Sequence, residues 1–305
     1  MRMALVVIIA AASAAAQQSA EPPIVGRWDI TVLAPTPHPS WLEVRKSGAR
    51  GLVGQFVGRV GSARPISRID FADGVVRFSL PPQWEPGDRD FQFEAKLNGN
   101  RLAGWMTDSS GTRVEWTASR APVLRRTTPP AWSKPITLLN GRDLTGWQPI
   151  AGPNNWRVTD GVLTNTASGA NLMTSDVFLD FKLRAEFRYP AKGNSGIYLR
   201  GRYEVQIEDS GTREPTAEDL GAIYGFLVPG RNAAGKPNEW QSLDIILVGR
   251  LVTIVLNGTA IISEQVIPGI TGGALDSDEG APGPLFLQGD HGPIEYRNLV
   301  LTPAR

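Results

Sequence analysis

The fold of this chain is limited most by turn dipeptides, which separate short runs of alternating apolar and polar residues. Asp73-Gly74, Asn98-Gly99 and Asn257-Gly258 each separate two such runs, and these dipeptides are strong local signals of a β-hairpin. The 33 glycines and 24 prolines among 305 residues supply the further turns that many short strands require. The pattern predicts an all-β protein, in which only Thr216–Ile223 is expected to form a short helix.

Residues 1–16 have the pattern of a signal peptide. Arg2 precedes an apolar run, and Ala14 and Ala16 offer a small-residue cleavage site after it. The run is too short to remain as a membrane-spanning helix. The chain contains no cysteine, which excludes disulfides, thiol catalysis and a lipoprotein anchor. These features predict a periplasmic or secreted protein with no membrane span.

Residues 23–122 are predicted to form a small antiparallel meander of eight strands, the fourth at Pro65–Phe71, that closes into a barrel. The opening Gly26-Arg27-Trp28 resembles the Gly-x-Trp start of lipocalin-like barrels, and Trp28 is expected to plug one end. Trp84 lies in a Pro-rich loop and is interpreted as a cap of the barrel; the alternative is an exposed stacking platform. No catalytic constellation is visible, so an accessory role in docking or ligand binding is expected.

The second half of the chain is predicted to be a separate domain. Residues 123–135 are rich in proline and basic residues, a composition typical of an extended linker. From residue 136 to residue 305, short strands alternate again with turn residues. This spacing predicts a two-sheet antiparallel sandwich.

The segment Gly193–Asp209 is predicted to be a hairpin with one apolar and one hydrogen-bonding face, because side chains alternate between the faces of a strand. The polar face is predicted to carry Tyr198, Arg200, Glu204, Gln206 and Glu208. Such planar donors and acceptors suit a ligand rich in hydroxyl groups. The alternative is an ordinary solvent-exposed face with one ion pair.

Further polar residues are predicted to converge on this face from distant parts of the chain. They are Glu186, Gln288, His291 and Arg297, with Tyr224 or Trp240 as an aromatic surface for stacking. Together they would form a sugar site. The alternative is that Glu186–Arg200 and Glu204–Arg297 are ion pairs between neighbouring strands. Exposed ion pairs of this kind contribute little to the stability of the fold.

Several motifs follow one another between about Ile136 and Pro303. They are Leu139–Trp147, Trp156–Gly161, Asn194–Arg200, Tyr203–Ile207, Gly221–Tyr224, Glu239–Gln241, Leu287–Gly292 and Tyr296–Asn298. In this order they resemble the 3-keto-disaccharide hydrolase domain family, long known as a domain of unknown function. The resemblance implies a jelly-roll sandwich like that of concanavalin A and the laminarinase-type glucanases. Gln241, counted among the substrate-binding residues, and the sequence Gln288-Gly-Asp-His depart from the Asn and the Gln-Asp-His of many members, which could alter the ligand geometry.

The glucanase mechanism is not expected in this chain. It needs two carboxyl groups about 5–5.5 Å apart for retention, or about 6.5–9.5 Å apart for inversion. Laminarinase-type enzymes place Glu, Asp and Glu at alternate positions of one strand, but the middle position here is Gln206. Glu204 and Glu208 would then lie about 13 Å apart, which is too far for either route.

The resemblance implies a different reaction. A keto group at C3 of a sugar acidifies the proton at C2, so that a base can remove it and the glycosidic oxygen can leave from C1, after which water adds. His291 is the expected base, and Glu204 and Asp209 are the other expected catalytic residues. Arg200, or a divalent cation such as Ca²⁺ held by Glu204 with Asp209 or Asp290, is expected to stabilise the enolate.

Two further functions stay open at this point. Sandwiches of this kind are often lectins, so the domain could bind sugar without cleaving it, and a cell-surface scaffold is the other alternative. The expected ligand is a sugar or keto-sugar. Nucleic acid is not expected as a partner, because the net charge is +1 and no basic stripe is present.

Overall fold

The computed structural model describes residues 21–305, which form only strands, turns and loops. This confirms the all-β prediction, while residues 1–16 lie outside the described part. Thr216–Ile223 does not form the predicted helix, because its end adds to the edge of a strand: Gly221 N–H donates to the carbonyl of Gln206, and Gln206 N–H donates to that of Ala222. In the described residues, no helix has the length and apolar character to cross a membrane.

The N-terminal part is one antiparallel sheet of nine short strands with a buried apolar interior. The strands are β1 (Gly26–Val32), β2 (His38–Ser47), β3 (Gly51–Val57), β4 (Arg64–Ile66), β5 (Asp70–Ala72), β6 (Val75–Leu80), β7 (Phe91–Asn98), β8 (Arg101–Thr107) and β9 (Arg113–Arg120). Their order is β4-β3-β2-β1-β9-β8-β7-β6-β5.

The first and last strands of this sheet pair with each other, so the two ends of the meander are joined. The sheet remains open between β4 and β5, where one predicted strand, Pro65–Phe71, is divided into two. Trp28 is fully buried, its Nε1 donates to the carbonyl of Ile24 at 3.0 Å, and the Arg120 guanidinium covers its ring at 4.2 Å. The predicted antiparallel meander is therefore present, and its closure into a barrel is complete except between β4 and β5.

The C-terminal part consists of two antiparallel sheets. The larger sheet contains β10 (Ile136–Thr137), β12 (Trp156–Thr159), β13 (Val162–Asn165), β15 (Phe181–Arg188), β18 (Gln241–Val248), β19 (Leu251–Leu256), β20 (Thr259–Val266) and β22 (Ile294–Pro303). The smaller sheet contains β11 (Trp147–Ile150), β14 (Asn171–Thr174), β16 (Asn194–Leu199), β17 (Tyr203–Glu208) and β21 (Phe286–Leu287), in the order β11-β14-β21-β16-β17.

Alternate residues of both sheets point into one shared apolar core. Leu183 and Phe187 of β15, and Ile197 and Val205 of the β16–β17 hairpin, belong to this core and are at most 2% exposed. Two facing antiparallel sheets with alternating inward residues make the predicted jelly-roll sandwich, and the fold prediction is confirmed.

The two parts of the chain pack closely against each other. Trp41 of β2 is fully buried within the core cluster of the sandwich, where its ring meets Phe226 edge-on at 5.4 Å. Gly269 lies against the same indole, and a Cβ there would overlap the ring. Gly273 N–H donates to the carbonyl of Arg59 at 2.9 Å. This junction fixes the position of the N-terminal part beside the smaller sheet.

Candidate functional site

A cleft of ≈ 430 Å³ lies where the smaller sheet of the sandwich faces the N-terminal part. Its volume is in the range of about 300–1,000 Å³ that is usual for small-molecule sites. The cleft is lined by Val60, Gly61, Trp84, Asn171, Asn194, Tyr198, Glu204, Gln206, Tyr224, Gly272, Gly273, Phe286, Gln288, Asp290 and His291.

The β16–β17 hairpin forms the floor of the cleft, as the alternation in its sequence predicts. Tyr198 pairs with Glu204 and Gly196 with Gln206, so these four residues share one face of the hairpin. The intervening residues point into the apolar core. Gly196 has no side chain, and a Cβ there would overlap the Glu204 carboxylate. The absence of a side chain at this position therefore leaves the space that the carboxyl group of Glu204 occupies.

Glu204 is a carboxyl group held in its protonated form. The residue is only 3% exposed. Burial raises its pKa to about 8, the Tyr198 hydroxyl opposes this shift, and the nearby Asp290 carboxylate adds to it. At neutral pH the carboxyl group of Glu204 can therefore donate a proton into the cleft.

The amide side chains on the floor have free hydrogen-bonding capacity. Gln206 Oε1 accepts the N–H of Ile207 at 3.2 Å, which leaves its amide N–H groups for the cleft. Gln288 is 9% exposed, and its Oε1 is buried without a hydrogen-bond partner among the described residues. A buried polar atom of this kind is costly unless a ligand or water satisfies it.

Asp290 and His291 stand at one wall of the cleft as a hydrogen-bonded pair. His291 Nδ1 donates to Asp290 Oδ1 at 2.7 Å, which leaves Nε2 with a free lone pair. This hydrogen bond raises the pKa of His291 above its ordinary value, although burial opposes the shift. About half of each side chain is exposed. The pair has the arrangement of an imidazole base oriented by a carboxylate.

Two asparagines hold the loop that carries this pair. Asn171 Oδ1 accepts the N–H groups of Gly289 and Asp290 at 2.7 and 3.1 Å. Asn165 Nδ2 donates to the carbonyls of Gly289 and Gly292 at 2.8 and 2.9 Å. A Cβ at Gly289 would overlap the Ala170 carbonyl oxygen. The loop is thus fixed to the sheet, and His291 is held facing the cleft.

Three of the predicted binding residues lie outside the cleft, on the outer face of the larger sheet. Arg297 Nε donates to Glu186 Oε2 at 2.7 Å, and the Trp240 ring lies under the Arg297 guanidinium at 4.1 Å. The prediction that Glu186 and Arg297 share the face of Tyr198 is wrong, because β15 and β22 belong to the larger sheet. The Glu186–Arg200 and Glu204–Arg297 ion pairs of the alternative interpretation are also absent, since Glu186 pairs with Arg297 and Arg184.

Arg200 and Gln241 also lie away from the cleft. Arg200 has φ +55° at the turn between β16 and β17, which takes its side chain out of the strand alternation. The buried guanidinium donates to the carbonyl of Gly249 at 2.7 Å. Gln241 Oε1 accepts the N–H of Gly235 at 2.7 Å and therefore ties down a neighbouring loop. The predicted role of Arg200 beside the enolate is not compatible with this position.

Only two of the three predicted metal ligands come together. Glu204 and Asp290 line the cleft, but Asp209 lies beyond the far end of the hairpin, where its Oδ2 accepts the N–H of Lys192 at 2.9 Å. The same separation removes Asp209 from the predicted catalytic set. Within residues 21–305, no three His, Cys, Asp or Glu side chains are grouped to hold a metal ion. The three predicted ligands therefore do not form one Ca²⁺ site in the described residues.

The cleft also contains residues that the sequence interpretation does not assign to it. Asn171 and Phe286 carry no recognisable motif, whereas Asn194 begins the quoted Asn194–Arg200 motif and could be selected from it. The interpretation of Trp84 as a barrel cap is wrong, because the residue is 68% exposed and lines the cleft. Of the predicted residues, the cleft brings together Tyr198, Glu204, Gln206, Tyr224, Gln288, Asp290 and His291.

The match to a known family agrees with the limits of the sandwich. A family model for a 3-keto-alpha-glucoside-1,2-lyase-like domain matches residues 134–302. The chain is similar to two provisionally assigned glycosyl hydrolases from Parabacteroides distasonis, at 30% and 21% identity. The first alignment covers 59% of this chain and 93% of that chain with a TM-score of 0.48. The second covers 55% and 92% with a TM-score of 0.47.

A carbohydrate-binding module from Bacillus subtilis is also similar, at 14% identity over 51% of this chain and 94% of that chain, with a TM-score of 0.38. No curated protein matches the chain. Residues before 134 lie outside the family match, so the barrel side of the cleft is not part of the family's own domain.

Proposed function

The chain belongs to the family of 3-keto-alpha-glucoside-1,2-lyase-like domains, and we propose that it cleaves the glycosidic bond of 3-keto-glycosides by elimination followed by addition of water. The cleft supports this proposal, because it holds the protonated carboxyl group of Glu204 together with the imidazole base of His291. An acid and a base in one cleft are what a coupled proton removal and proton donation require.

His291 is proposed as the general base. Its Nε2 lone pair accepts the proton from C2 of the keto-sugar, while Asp290 stabilises the imidazolium through Nδ1–H. The electron pair of the C2–H bond moves to the C3 carbonyl and gives an enolate. It then returns to form the C1–C2 double bond as the C1–O bond breaks.

Glu204 is proposed as the general acid. Because its pKa is about 8, it carries a proton at neutral pH and gives it to the departing glycosidic oxygen. The amide groups of Gln206 and Gln288 provide hydrogen bonds for the hydroxyl and carbonyl oxygens of the sugar. Water then adds to the unsaturated product at C1, and C2 takes up a proton.

The experiment incubates the purified protein with a 3-keto-disaccharide in D₂O and follows the released sugars by NMR. Release of a monosaccharide together with deuterium at C2 of the product, in excess over an enzyme-free control, is the expected result. Direct hydrolysis would leave the C2 proton in place and contradict the elimination. Binding without release would favour the lectin-like alternative.

The expected cation and the expected export can be tested on the same protein. Turnover is measured before and after dialysis against a chelator, which tests the predicted requirement for a divalent cation. No step of the proposed reaction uses a cation.

The N-terminal sequence of the mature protein, isolated from the periplasm or the medium, tests export and cleavage after Ala16.

The pH dependence of kcat/KM is expected to be bell-shaped. His291 acts as base only when it is neutral, so activity rises with pH through its pKa, which lies above the ordinary 6.5. Glu204 acts as acid only when it is protonated, so activity falls above a pH of about 8. A profile that keeps rising from about pH 7 to about pH 10, while the protein remains folded, would contradict the role of Glu204.

A further inference from the structure

Among the described residues of the N-terminal part, Trp84 is the one large aromatic side chain that lines the cleft. It is 68% exposed, although an exposed indole contributes nothing to the barrel core. It lines the cleft together with Val60 and Gly61, which also precede the family domain. A large exposed aromatic residue within a cleft that also holds hydrogen-bonding groups is typical of a ligand site.

The loop that carries Trp84 is fixed in place. The Glu85 carboxylate accepts the N–H groups of Gln83 and Trp84 at 2.8 and 3.2 Å. Arg64, which is 8% exposed, pairs with Glu85 at 3.2 Å and donates to the Pro81 carbonyl at 3.0 Å. The backbone that carries the indole is therefore already held when a ligand arrives, which lowers the entropic cost of binding.

The indole also has a defined position relative to the sandwich. A Cβ at Gly61 would lie 2.8 Å from Cδ1 of Trp84, so the missing side chain lets the ring rest on this loop. The same loop docks on the sandwich, because Gly272 leaves no room for a Cβ beside the Gly61 carbonyl and Gly273 N–H donates to the Arg59 carbonyl at 2.9 Å. Trp84 thus lines the same cleft as Glu204 and His291, and the loop on which its ring rests is docked on the sandwich.

We propose that Trp84 forms a stacking subsite for the leaving group of the glycoside, and that this subsite takes a second sugar ring. This rests on the proposed function. The reacting ring must lie against Glu204 and His291, which belong to the sandwich side of the cleft. The part of the substrate that extends to the barrel side therefore meets Trp84. The C–H face of a pyranose ring packs on an indole, while its hydroxyl groups remain free for hydrogen bonds.

Steady-state kinetics of Trp84→Ala on two substrates tests the subsite. For a 3-keto-disaccharide, kcat/KM is expected to fall about tenfold, mainly through KM, because the stacking contact is lost. For the methyl 3-keto-glucoside, which has no second ring, the loss is expected to be about twofold or less. Trp84→Phe, which keeps an aromatic face, is expected to recover most of the disaccharide activity.

Trp240→Ala is the matched control, because Trp240 lies on the outer face of the larger sheet, and it is expected to match the wild type on both substrates. An equal loss on both substrates for Trp84→Ala, or no loss on the disaccharide, would overturn the subsite while leaving the reaction intact.

If the wild type cleaves neither substrate, the proposed reaction fails, and calorimetric binding decides the subsite alone. Weaker binding of the disaccharide to Trp84→Ala than to the wild type then supports the subsite. Equal binding by the two proteins refutes the subsite, and so does the absence of detectable binding by both.

Discussion

His291→Ala is expected to lower kcat/KM for a 3-keto-glycoside by about 10²- to 10⁴-fold, the usual contribution of a positioned general base. Nε2 of His291 is the free imidazole nitrogen of a pair whose other nitrogen is occupied by Asp290 at 2.7 Å. The variant should also lose the acidic limb of the pH profile, because the group whose deprotonation sets that limb is gone. Added imidazole is expected to restore part of the activity by entering the space left by the ring.

The chain offers a matched control, since it has two histidines. His38 lies at the start of β2 in the N-terminal part, where its Nδ1 contacts the carbonyl of Thr36 at 3.1 Å. His38→Ala is expected to retain wild-type kinetics. Because His291 is about half exposed, its replacement should leave the melting temperature nearly unchanged. Undiminished turnover by His291→Ala would remove this residue as the base.

Glu204→Gln is expected to reduce kcat/KM for a disaccharide substrate by about 10²- to 10³-fold. Glutamine has the size and hydrogen-bonding shape of the protonated carboxyl group but cannot give up a proton. The folded protein should tolerate the change, because Glu204 is neutral in its buried position. The alkaline limb of the pH profile, set near a pH of about 8 by this group, should disappear.

The identity of the leaving group makes this experiment specific. An aryl 3-keto-glucoside with an acidic phenol leaves without protonation, so Glu204→Gln should cleave it at a rate close to that of the wild type. Glu208→Gln is the control: Glu208 lies on the same strand and face, opposite Asn194, but outside the cleft. Equal losses on the aryl and disaccharide substrates would show that Glu204 acts in binding or in structure rather than as the acid.

The local pattern of the sequence predicts the hairpin at the centre of the site correctly. Alternation along a strand determines which side chains share a face, so the residue pattern alone places Tyr198, Glu204 and Gln206 together. Alternation no longer determines the direction of a side chain at the turn between the two strands. Arg200, with φ +55°, points into the interior although the pattern assigns it to the polar face.

Alternation says nothing about which sheet a strand joins. Glu186 alternates correctly within β15, yet β15 pairs with β18 and β22 in the larger sheet, and the residue faces away from the cleft. The local sequence does not place Trp84 in the cleft either. Its position depends on how the N-terminal part packs on the sandwich through Trp41.

The residue pattern predicts the all-β class, the period-2 faces of the strands, and the segment Gln288-Gly-Asp-His that brings a histidine beside a carboxylate. The pairing of the strands and the packing of the two parts bring Glu204 and His291 into one cleft, leave Glu186, Arg200 and Asp209 outside it, and add the Trp84 indole to its lining. This difference arises because the geometry within a strand is set by neighbouring residues, whereas strand pairing and domain packing depend on apolar surfaces that are buried between segments far apart in the chain.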